Sequence, residues 1–98
     1  MPVYLVSYDL KKPGQNYEAL YKLLQSSGTY AHVLDSAWLV NSPLAAKDVL
    51  LALTPALDKN DSIFVTQVSG AAWQLPVKFN DWLKHQLNAG PIPHPDKP

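Results

Sequence analysis

The sequence predicts a mixed α+β domain built on an antiparallel sheet, and three observations predict it. Runs rich in β-branched, aromatic and aliphatic residues, at 3–8, 29–41 and 62–68, alternate with two helical patterns. The middle run is long enough for two strands and is interrupted by Asp35-Ser36. Ninety-eight residues fit one two-layer core, and 47% hydrophobic against 16% charged residues is a globular composition, not a disordered one.

The first run, VYLVSY, lacks clean alternation, which suits a strand that is central or covered on both faces. DLKKPGQN (residues 9–16) is turn chemistry, with Pro13-Gly14 as its strongest punctuation. Asn16 is placed to cap a helix, and Glu18 falls in its first turn, where the helix dipole favours an acid. Tyr17, Leu20, Tyr21 and Leu24 share one helical face, and Ser26-Ser27-Gly28 stops the helix. TYAHVLDSAWLVN (29–41) then reads either as one bulged strand or as two short strands joined at Asp35-Ser36.

SPLAAKDVLLALTPAL (42–57) opens with Ser42 as N-cap and Pro43 at the first helical position. Leu44, Val49, Leu50, Leu53 and Leu57 supply its buried side. A polar turn, DKNDS, precedes the last core strand at 62–68. The order strand, helix, strand pair, helix, strand is the βαββαβ pattern of a ferredoxin-like sandwich, with both helices on one sheet face. A third helix is expected over 77–87, with Phe79, Trp82 and Leu83 on one side. The expected domain spans 1–88. The tail AGPIPHPDKP (89–98) holds four prolines in ten residues and is expected to be extended, mobile or docked on a neighbour.

Cysteine is absent, which excludes disulfides, thiolate metal sites and cysteine nucleophiles. Eight lysines balance eight acids and there is no arginine, so the chain exerts no global pull on a polyanion. Any nucleic-acid role therefore rests on a local patch. No apolar stretch approaches the length of a bilayer span, and no secretory signal precedes the first strand. The expectation is a soluble, cytoplasmic protein without a membrane partner.

Asp9, at the end of the first strand, has two readings. It accepts backbone N–H groups in the following turn, or it is one of a symmetric pair of carboxylates that hold a divalent metal. Lys11 and Lys12 beside it are either phosphate-binding point charges or ordinary turn lysines. Asp35 and Ser36 contact a phosphate, support the metal, or cap a bulge. Asp58 and Asp61 read as makers of the turn before the last strand. His32, His85 and His94 lack metal-ligand spacing. His32 reads as a hydrogen-bonded structural histidine, or as a general acid or base if it reaches Asp9. Tyr4, Tyr8, Tyr30, Trp38 and Trp73 either stack nucleotide bases or lie in a dimer interface. A sheet with helices on only one side must cover the other, and dimerisation is the simpler explanation.

Three segments together resemble one family: YLVSYDL, GTYAHVLDSAWLV and LDKNDSIFVTQV. They are similar to the small CRISPR-associated endoribonuclease-like proteins of the Cas-two type. The ending SGAAW…FNDWLKHQL looks like the SinR-like small proteins grouped beside them. The resemblance implies a ferredoxin-like homodimer in which Asp9 from each subunit shares one divalent metal, here expected to be magnesium. Tyr8 matches the aromatic before that aspartate, and Ser36 the serine at the kink. With Lys11 and Lys12, these are the expected substrate-binding residues. The implied activity is metal-dependent hydrolysis of RNA phosphodiesters. The alternative is a non-catalytic dimer of the same fold that binds a protein partner or stabilises an assembly, which the missing arginines, the neutral net charge and the apolar sheet favour.

Overall fold

The computed structural model describes residues 2–11 and 17–87. Lys12, the Pro13-Gly14 turn, the Asn16 cap and the proline-rich tail with His94 lie outside the described residues. The chain divides into two compact units, Met1–Val68 and Ser69–Pro98, so the expected 1–88 span draws on both.

In the first unit the elements follow the order β1 (Val3–Asp9), α1 (Glu18–Ser26), β2 (Tyr30–Leu34), β3 (Ala37–Asn41), α2 (Ala46–Leu53) and β4 (Ser62–Gln67). The four strands form one antiparallel sheet in the order β2-β3-β1-β4. β1 is central, flanked by β3 from Val3↔Asn41 to Ser7↔Ala37 and by β4 from Tyr4↔Gln67 to Asp9↔Ser62. The 29–41 run resolves into two strands joined at Asp35-Ser36, with a register irregularity between Ala31 and Leu34. Of the two alternatives the sequence offered, two short strands are therefore present and one continuous bulged strand is not.

Side chains alternate across a sheet, and this decides the core. Tyr4, Val6 and Tyr8 of β1, with Trp38 and Val40 of β3, face Leu20 and Leu24 of α1 and Val49 and Leu53 of α2. The helical periodicity of 17–24 places Leu20 and Leu24 inward as expected. Tyr4, Tyr8 and Trp38 therefore pack beneath the helices in the first unit's own core, not in an interface with a second copy. Their even spacing on β1 and its register with β3 put them there.

The second helix begins later than the Ser42-Pro43 signal suggests. Ser42 Oγ accepts the Leu44 N–H at 3.2 Å, Tyr4 donates its hydroxyl to the Leu44 carbonyl, and the helix starts only at Ala46. The serine makes a local turn at the strand exit, and the proline sits in that turn.

The opposite sheet face is uneven. Val3, Ala31, Ala37 and Leu39 are each less than a tenth exposed. At the outer strands Leu34 is 58% and Phe64 66% exposed. Phe64, Ser7, Ala37 and Leu34 form one transverse row, with small residues at the centre and large apolar ones at both ends.

The second unit contains a 3₁₀ turn at Val77–Phe79 that leads into α3 (Asn80–Leu87), whose Leu83 is buried. Trp73 donates its indole N–H to Asn80 Oδ1 at 3.1 Å. Among the described residues no helix is long and apolar enough to cross a membrane.

Candidate functional site

Asp9 ends β1 opposite the first residue of β4, Ser62. Alternation from Tyr8 turns its carboxylate to the side away from the helices, shared with Ser7 and Phe64. It is 66% exposed, and Lys11 Nζ lies 2.6 Å from its Oδ2. A shallow depression runs beside it, lined by Ser7, Tyr8, Asp9, Ser62, Ile63 and Phe64. The Asp35-Ser36 turn reaches the same end of the sheet, because the Ser36 carbonyl accepts the Tyr8 N–H at 3.0 Å. Asp9, Lys11, Ser36 and Ser62 thus cluster at one end of the three strands β3, β1 and β4. A pair this exposed is weak in water, so Lys11 holds Asp9 lightly.

Tyr8 is placed differently. It is 6% exposed, accepts the Trp38 indole N–H at 3.0 Å, and donates to the Asp35 carbonyl at 3.3 Å. Burial pushes its hydroxyl above the ordinary value of 10.0, while the Trp38 hydrogen bond pulls the other way. Its phenol belongs to the core side of the sheet, and Asp9 to the other.

Asp61 makes the turn before β4, as its position in DKNDS suggests, and it does more. Its Oδ1 accepts the Lys11 N–H at 2.8 Å and the Tyr17 hydroxyl at 2.9 Å; its Oδ2 accepts the Asp58 N–H at 2.8 Å. One carboxylate thereby fixes the exit of β1, the start of α1 and the entry to β4. Asp58 Oδ1 accepts the Asn60 N–H at 3.0 Å within the same turn. Sequence reading found the turn but not the two distant partners. Nothing local links Lys11 or Tyr17 to residue 61.

His32 is exposed and stacks on Trp38, on the helix-facing side of the sheet, with Nε2 3.1 Å from the Asp35 carbonyl oxygen. It does not share a face with Asp9. His85 lies in the last turn of α3 in the second unit. Among the described residues no three His, Cys, Asp or Glu side chains gather into a metal-binding group. A cation held at the Asp9 carboxylate would need water or a second copy to complete its shell.

Compared with known proteins, the chain matches no family model and no curated protein.

Proposed function

We propose that this chain is a ferredoxin-like, Cas-two-like protein that acts as a homodimer, with Asp9 from each subunit holding one magnesium ion for hydrolysis of RNA phosphodiesters. The observation that carries the reading is the exposed Asp9 carboxylate at the end of the central strand, on the side away from the helices. The strand order β2-β3-β1-β4, with two helices over one side, supports the fold assignment. The exposed Phe64 on the same side as Asp9 supports self-association there, since large exposed apolar groups mark contact surfaces. A shared magnesium ion would polarise the phosphate and lower the pKa of a bound water for in-line attack. Lys11 Nζ would pair with a phosphate oxygen as a point charge, and Ser36 and Ser62, residues at the same end of the sheet, would offer hydroxyls to it. Tyr8 would act from beneath, fixing the strand end through Trp38 and the Asp35 carbonyl.

The test is a magnesium titration with single-stranded RNA. Wild type is expected to cleave, and Asp9→Ala to lose more in rate than the roughly ten- to hundredfold that removing an outer-shell partner of a metal site costs. No cleavage by wild type, or equal cleavage by the variant, overturns the reading.

A second reading is favoured by a specific contact. Lys11 Nζ lies 2.6 Å from Asp9 Oδ2, and the chain has zero formal net charge and no arginine. Both suit a non-catalytic dimer that binds a protein partner or stabilises an assembly. RNA or DNA affinity that falls steeply with added salt counts against this second reading.

A further inference from the structure

The edge strand β2 carries aromatic rings that the Asp9 site does not use. Tyr30 and His32 are both exposed, Tyr30 at 41%. Both rest on Trp38 of β3, which is only 2% exposed. His32 lies 4.2 Å from it, centroid to centroid, with 14° between the ring planes; Tyr30 lies at 5.5 Å and 39°. Tyr21 of α1 completes the cluster at 5.8 Å and 27° from Trp38.

His32 is fixed a second time by its contact with the Asp35 carbonyl. A carbonyl only accepts, so Nε2 carries the hydrogen, and in the uncharged ring Nδ1 is an acceptor. No partner meets Nδ1 among the described residues. The same Asp35 oxygen accepts the Tyr8 hydroxyl, and Trp38 donates to Tyr8. His32, the Trp38 floor, Tyr8 and the hairpin turn form one hydrogen-bonded unit, and Tyr30 joins it through its ring contact with Trp38.

Two properties define the ligand. Exposed rings already held in place lose little freedom on binding, and their faces favour another flat aromatic ring. The Nδ1 acceptor of His32, with the hydroxyl that Tyr30 carries, favours a ring that brings its own N–H donors. An apolar side chain would leave those polar atoms unmet. A nucleobase with an exocyclic amine supplies both. With zero net charge and no arginine, phosphate attraction is small, so base stacking rather than backbone contact would carry the affinity.

We propose that Tyr30 and His32, backed by Trp38, form a stacking site for one amine-bearing nucleobase at the β2 edge. The site lies on the helix-facing side and Asp9 on the other, so it stands apart from any cleavage chemistry.

The experiment titrates adenosine into the full chain and follows the His32 and Tyr30 ring protons by NMR. A saturable upfield shift is expected with adenosine and none with ribose 5-phosphate. Purine riboside, which lacks the amine, is expected to bind more weakly. His32→Ala should weaken adenosine binding about tenfold, the scale of one lost stacking partner. His32→Phe should keep the stack and lose the preference for adenosine over purine riboside. Asp9→Ala should leave the titration unchanged. The proposal is overturned by the absence of a saturable shift, or by unaltered affinity in His32→Ala. It is also overturned if N-acetylphenylalanine amide moves the same protons as tightly as adenosine, which would make the patch a protein-docking surface.

Discussion

Tyr8 shows how much one hydroxyl can hold. It joins the buried Trp38 indole to the hairpin turn, and burial raises its pKa above 10.0. A folded-state pKa above the unfolded one means stability is complete below pH 10.0 and is lost as pH rises through the folded value. Urea midpoints measured across pH 8–12 should therefore fall for wild type above about pH 10. Tyr8→Phe should flatten that fall, and at neutral pH should cost about 1–3 kcal/mol by leaving the Trp38 N–H without its acceptor. An equally steep alkaline fall in the variant would assign the effect elsewhere. Before folding, Tyr8 reads as part of a strand-end motif beside Asp9. Period-two alternation alone separates the two residues onto opposite sides, and that separation was available from the sequence once the strand was placed. Lys11 differs: its backbone tether to Asp61 spans fifty positions, and no local pattern encodes it.

At the scale of elements, the connection from α1 to β2 depends on Gly28. Its φ is +152°, and a Cβ added there would sit 1.9 Å from the Asn41 carbonyl oxygen at the end of β3. Gly28→Ala is expected to cost about 2–3 kcal/mol by chemical denaturation, from backbone strain and the displaced strand end. Gly70→Ala, with open space around it, should stay within about 0.5 kcal/mol of wild type. Elements marked by strand-forming composition or by helical spacing were legible: β1 and β4 lie where their composition puts them, and α1 where its spacing does. The start of α2 was not. Ser-Pro is equally good chemistry for a helix start and for a turn, and the Tyr4 hydroxyl on Leu44 decides between them from forty residues away. The third helix likewise opens with a 3₁₀ turn, which the same apolar spacing cannot distinguish from an α-helical one.

For the whole molecule, the proposed dimer depends on the side of the sheet that carries Asp9. Much of its apolar area is already withdrawn from solvent at Val3, Ala31, Ala37 and Leu39, which leaves Phe64 and Leu34 as the large exposed groups. Sedimentation equilibrium should give a dimer mass for wild type and a monomer mass for Phe64→Lys, because a buried ammonium at the contact is costly. A monomeric wild type at high concentration would remove the basis for a shared metal. The sequence signalled that a sheet side needed covering, yet it could not apportion that covering, because burial depends on contacts far apart in the chain. The strand order has one more consequence. β1 is translated before its sheet neighbours β3 and β4, which are complete only at Asn41 and Gln67. A nascent chain thus carries β1 as a waiting hydrophobic segment until those partners emerge, while the 30–41 hairpin closes locally. Chaperone demand during translation should therefore concentrate on β1, Val3–Asp9, and ease once residue 67 has cleared the ribosome.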